Sequence, residues 1–188
     1  LFHDLILGPL PRQRLYTTWS GYCRLVPQLL GLGRKSDGRA VQALEDKLCA
    51  YTGAAHAVAV SMARTGIYLT LSALISPGTR VLMSPYTIAD VVNMVVSAGG
   101  VPVFCDVERE TGNISADEVV RRIDDNVGCV LVTHFYGMAC DIERIAELCR
   151  DRGLPLVEDC AQALGTRVGG RLVGTFGVAG VFSFGLYK

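Results

Sequence analysis

The chain has 188 residues, half of them hydrophobic and 19% charged, and its 18 basic and 18 acidic side chains cancel. That length and apolar content suit one well-buried domain and exclude a disordered chain, while a net charge of zero supplies no field favouring nucleic acid or an anionic membrane surface. Seven cysteines, odd in number and without any C-x-x-C pair, exclude a disulfide framework and a zinc knuckle, and with three histidines no metal site is expected.

Residues 1–37 contain Pro9, Pro11 and Pro27 among scattered basic residues and glycines, which predicts an arm or irregular lead-in before a domain spanning 38–188. The opening "LFHDLILGPLP" lacks a basic leader and a small-residue cleavage site, so it is a poor signal peptide. From Gly38 the pattern becomes regular. "RAVQALEDKLCAYTG" sets Val41, Leu44, Leu48 and Tyr51 at helical spacing and stops at Gly53. Strand-like runs then alternate with helices: "HAVAV", a helix over about 65–74, "RVLMS", a helix over 88–97, "VPVFCDV", a helix over 116–123, "GCVLVTH", a helix over 142–150, and "LPLVED". This order predicts a three-layer α/β/α fold on a mostly parallel, mixed sheet, whose strands read as continuous apolar runs because both faces are covered. Beyond Gly165, Gly169-Gly170 between two β-rich pieces predicts a hairpin, followed by a strand over about 179–184. The stretch "VVNMVVSAGGVPVFC" is interrupted by Asn93, Gly99, Gly100 and Pro102 and is a core pattern rather than a membrane span, so a protein of the cytoplasm is expected. The chain begins at Leu1 without a methionine and stops at Lys188 directly after an apolar run, as a piece of a longer protein would.

Ligands of open α/β sheets bind beyond the carboxyl ends of the strands, and four segments lie there. In "SMARTG", Ala63, Arg64 and Thr65 open a helix whose free N–H groups could hold a phosphate, although Thr65 also reads as an ordinary cap. In "THFYG", His134 is either a loop histidine satisfied by the backbone or part of the site. In "LPLVEDCAQALG", Glu158 and Asp159 close an apolar run, where a carboxylate is costly without a cation. Successive side chains of a strand face opposite ways, so only one of the two addresses a given ligand. In "FSFGLYK", Ser183 follows a strand-like run and Lys188 comes five residues later.

Taken in order, "ALEDKLCAYTGAAHAVAVSMARTGIYLTL", "PGTRVLMSPYTIADVVNMVVSAGGVPVFCDVERETGNI", "VTHFYGMACDIERIAELCRDRGLPLVEDCAQALGT" and "GTFGVAGVFSFGLYK" resemble the DegT/DnrJ/EryC1/StrS sugar aminotransferases, fold-type I pyridoxal 5′-phosphate (PLP) enzymes of the aspartate aminotransferase class. The resemblance covers about 38–188 and implies the large, cofactor-binding domain, with the smaller C-terminal domain absent. It implies that Asp159 pairs with the protonated pyridine nitrogen of PLP, that Gln162 lies near the ring oxygen, and that Thr65, the amides around Ala63 and Arg64, and Ser183 take the phosphate. Lys188 matches the lysine that forms the Schiff base and shuttles protons. Its neighbourhood, a cationic cofactor and partial desolvation, would favour the free amine that attacks. Many relatives have glycine at Arg64, and an aromatic side chain over the ring where this chain has Ile88, with Tyr86 nearby as a possible contact. The implied activity moves an amino group from an amino acid, commonly glutamate, to a nucleotide-linked keto-sugar, in a homodimer. The alternatives are a sugar dehydratase, in which the lysine is commonly replaced by histidine, and a non-catalytic binding or regulatory protein of the same fold.

Overall fold

The structure, a computed structural model, describes residues 19–30 and 38–185. Its first element departs from expectation: within the lead-in, Trp19–Leu29 form a helix, α1, with Pro27 inside it. Pro27 lies in the last turn, so its missing N–H and its ring's clash with the carbonyl four residues back fall near the helix end and leave the preceding turns intact. Lys188 lies outside the described residues.

Helix α2 (Arg39–Thr52) ends where expected, because Gly53 adopts φ 78° and returns its N–H to the Cys49 carbonyl. Residues 56–60, expected to be a strand, join no sheet among the described residues. A strand needs a ladder for its backbone groups, and here the Ala59 N–H goes to the Glu45 carboxylate instead, at 2.8 Å. The remaining elements follow the predicted alternation: α3 (Ala63–Leu74), β1 (Arg80–Met83), α4 (Ala89–Ser97), β2 (Val101–Phe104), α5 (Ala116–Arg122), β3 (Val127–Thr133), α6 (Ile142–Asp151) and β4 (Leu156–Asp159). The hairpin is β5 (Arg167–Val168) and β6 (Arg171–Leu172), turned by Gly169 and Gly170 at φ 54° and 82°, and β7 (Ala179–Val181) closes the series. It is shorter than the expected 179–184 run.

Five strands pair in the order β2-β1-β3-β4-β7, every pair parallel; the antiparallel component lies in the separate hairpin. Strand alternation divides the core in two. Val81, Met83, Cys129, Leu131 and Val157 pack under α3 and α4 through Ile67, Leu71, Val91 and Val95. Leu82, Val130, Val132 and Leu156 pack under α5 and α6 through Val119, Ile142, Ile145 and Cys149. These are the three layers. Each helix from α3 to α6 contributes buried apolar residues, as in α6, where Ile142, Ile145, Ala146 and Cys149 are buried at one-turn spacing. No helix among the described residues is long and apolar enough to cross a membrane.

Candidate active site

The strand parity that builds the layers also separates the two carboxylates of β4. Leu156 belongs to the face covered by α5 and α6 and Val157 to the face covered by α3 and α4, so Glu158 points to the first and Asp159 to the second.

Glu158 is fully buried, and its oxygens accept N–H groups from Gly174, Phe176 and Gly177, each at 2.7 Å, and a ring nitrogen of His134 at 3.1 Å. The other ring nitrogen, Nδ1, accepts the Cys140 N–H at 3.3 Å. With Nδ1 an acceptor, the ring proton sits on Nε2 and is donated to Glu158. His134 is thus a buried core histidine, and Glu158 fastens the loop before β7 to the end of β4. Ligand atoms of His134, Glu158 and Cys160 lie within 4.8 Å of one another, yet four donors already fill the carboxylate's lone-pair sites, which argues against a cation there.

Asp159 is 4% exposed and lines a small open cleft with Thr87, Ile88, Thr133, Phe135, Ala161 and Gln162. The cleft lies beyond the carboxyl ends of β1, β3 and β4. There the strand order reverses around β1, the place where doubly wound sheets bind ligands. Thr133 is the register partner of Asp159 and shares its face, and the Thr87 and Thr133 hydroxyls are 3.5 Å apart. One Asp159 oxygen accepts the Ala161 N–H at 3.0 Å. Gln162 Oε1 accepts the Tyr136 N–H at 3.3 Å.

The first turn of α3 packs against β7, the strand next to β4. A Cβ on Gly66 would lie 3.4 Å from Val181, and Val181 is the register partner of Asp159 on β7. Met62, the N-cap residue, makes no side-chain cap bond. The amides of Ala63, Arg64 and Thr65 therefore have no partner within the helix, and the helix dipole favours an anion there. Arg64 forms an ion pair with Asp90 at the start of α4. Ser183 stands two residues beyond β7, half-buried.

Of the residues singled out by sequence, Asp159, Gln162 and Ile88 line one cleft, whereas Ala63, Arg64, Thr65 and Ser183 are not among its lining residues. Tyr86 is half-exposed and stacks on Phe135, ring centroids 4.7 Å apart and planes at 17°, outside the lining set. Thr87, Thr133, Phe135 and Ala161 were not singled out. Thr133 could have been: counting in twos along β3 puts it on the face opposite to His134.

The buried thiols are chemically quiet. Burial pushes Cys105 and Cys149 up to about 11 and Cys129 up to about 12, and raises Cys140 and Cys160 as well, so each is a protonated thiol at neutral pH. All seven cysteines are free.

The model of the DegT/DnrJ/EryC1/StrS aminotransferase family matches residues 23–188. GDP-perosamine synthase of Vibrio cholerae is 39% identical over 150 residues, which cover 79% of this chain and 41% of that protein. The spore coat polysaccharide biosynthesis protein SpsC of Bacillus subtilis (strain 168) is 35% identical over 160 residues, 85% of this chain and 41% of its own length. The crystal structure of the aminotransferase TlmJ from Streptoalloteichus hindustanus superposes with a TM-score of 0.80 at 33% identity, covering 94% of this chain and 48% of that one. The chain thus spans under half the length of these relatives.

Proposed function

Because the chain belongs to the DegT/DnrJ/EryC1/StrS aminotransferase family, we propose that its cleft holds pyridoxal 5′-phosphate. In this reading the protein transfers an amino group from an amino acid such as glutamate to a keto-sugar carried on a nucleotide. The observation that carries it is Asp159, a buried carboxylate lining a cleft at the switch point of a parallel sheet. A buried carboxylate in that position is suited to hold a protonated pyridine nitrogen in a charge-assisted hydrogen bond.

The donor set fits the rest of the cofactor. Gln162, its oxygen engaged by Tyr136, keeps two N–H groups for the ring oxygen. Ile88 gives an apolar wall, and its exposure leaves room for a ring against it. The uncapped amides of Ala63, Arg64 and Thr65, with the hydroxyls of Thr65 and Ser183, suit a phosphate dianion. When bound, PLP withdraws electrons from the carbon bearing the amino group, so that this carbon can lose a proton. Asp159 holds the proton on the pyridine nitrogen. Gln162 orients the ring, the α3 amides anchor the phosphate, and Lys188 is the amine that attaches the cofactor and carries the proton.

The nucleotide-sugar substrate is supported by the likeness to GDP-perosamine synthase. A homodimer belongs to the same reading, and a protein that stays monomeric in sedimentation equilibrium would refute that part.

The test is direct. Purified protein mixed with PLP should develop a visible absorption band, and borohydride should then fix the cofactor's mass on Lys188. Glutamate and a nucleotide-linked keto-sugar should give the amino sugar. Lys188→Ala should lose the adduct and the turnover together. A wild-type protein that shows neither band nor adduct contradicts the reading.

A further inference from the structure

Asn113 lies between β2 and α5, next to the bridge that pairs Val107 with Ile114, and is only 1% exposed. Its two side-chain atoms hold both ends of one turn. Oδ1 accepts the Phe135 N–H at 2.9 Å, and Nδ2 donates to the Met138 carbonyl at 3.1 Å. Between those anchors Tyr136 sits at φ 49°, ψ 34°, the one non-glycine residue with positive φ among the described residues. A tyrosine is disfavoured in the left-handed region and stays there only when its surroundings impose it. Its own side chain does not do so, being 71% exposed with an edge contact to Phe135. The clamp at 135 and 138 does, helped by the Thr166 hydroxyl on the Gly137 carbonyl at 2.8 Å.

The consequence falls on Gln162. In this conformation the Tyr136 N–H reaches Gln162 Oε1 at 3.3 Å. A flipped amide would set an NH₂ group against that N–H, so the contact fixes which end of the amide is free.

We propose that Asn113 is a positioning residue: by clamping the Phe135–Met138 turn it holds Tyr136 left-handed, and the Tyr136 N–H then presents Gln162 to the cleft as a hydrogen-bond donor. The group it serves is an anionic ring oxygen on the bound ligand, so the inference rests on the PLP reading of the cleft. It adds a residue more than twenty positions from the turn it controls, outside the four strand-end segments in which ligand-binding residues were expected.

The test uses Asn113→Ala, Tyr136→Val and Tyr136→Asn. Valine, β-branched, resists the left-handed region, whereas asparagine tolerates it. PLP affinity and the pH dependence of the bound cofactor's absorption are measured for each, together with amide exchange of the 134–139 peptide in cofactor-free protein. Asn113→Ala and Tyr136→Val should each weaken PLP by about tenfold, the worth of one hydrogen bond, and move the absorption transition in the same direction by about half a pH unit or more. Asn113→Ala should also speed exchange of that peptide. Tyr136→Asn should recover affinity to within about twofold of wild type. The proposal is overturned if Tyr136→Val and Tyr136→Asn behave alike, or if Asn113→Ala binds and titrates as wild type. Should Asn113→Ala fail to fold, the exposed Tyr136 pair decides alone. A wild-type protein that takes no PLP defeats the cofactor reading and this inference with it; a failure confined to the variants leaves the cofactor reading standing.

Discussion

Glu158 and Asp159 are neighbours with opposite duties, and the difference is a matter of parity along β4. Glu158 faces α5 and α6, where three backbone amides and His134 enclose it. Asp159 faces the cleft. Replacing the first should harm stability. In Glu158→Gln one oxygen becomes an NH₂ group facing existing donors, and a charged acceptor of four bonds is lost. Unfolding free energy should fall by about 3 kcal/mol, read as a lower urea midpoint, and an unchanged midpoint would deny Glu158 its fastening role. The sequence showed that two adjacent carboxylates at the end of an apolar run cannot serve one ligand. Strand pattern alone could not show which is which, because both faces of β4 are covered by apolar residues and no polarity difference marks them; the family resemblance is what assigned Asp159. The partner that settles it, His134, lies 24 positions away. Asn113 was illegible for the same reason, since its two contacts are 22 and 25 positions distant.

Among the elements, the legible ones owe their signal to local patterning. Strands β1, β3 and β4 are buried on both faces and read as unbroken apolar runs, and the hairpin was announced by two glycines that both need positive φ. The "HAVAV" segment has the same composition without a ladder, because strand pairing depends on what lies alongside rather than on propensity. Helix α1 was hidden by Pro27. Strand β7 carries an element-scale prediction. It packs against the loop that follows β6 through Gly180, where a Cβ would come within 2.6 Å of the Gly174 Cα. Gly180→Ala should therefore push β7 outward, lowering stability by about 1–3 kcal/mol. A variant as stable as wild type would show that β7 has slack.

For the molecule as a whole, the three layers keep most thiols out of water. Folding raises Cys105 and Cys149 from the ordinary 9.0 to about 11, and Cys129 to about 12. A raised value in the fold means that the unfolded chain releases its protons first as pH climbs. The stability these thiols confer is whole below about pH 9 and drains away as pH rises toward 11–12. Denaturant midpoints measured from pH 7 to 10.5 should be level up to about 9 and then fall. Thiol alkylation at neutral pH should mark the exposed Cys23 ahead of the buried five. A midpoint that rises above pH 9 would contradict the burial seen here.

The central claim is that Asp159 keeps the pyridine nitrogen of bound PLP protonated. It is tested most directly by the ¹⁵N chemical shift of PLP labelled at that nitrogen, recorded bound to the wild-type protein and to Asp159→Asn. The account predicts a pyridinium shift in the wild type, and in the variant a shift toward neutral pyridine with proton abstraction slowed about 100-fold, the fold unchanged by circular dichroism. A neutral pyridine in the wild type, or the same shift in both proteins, would contradict it.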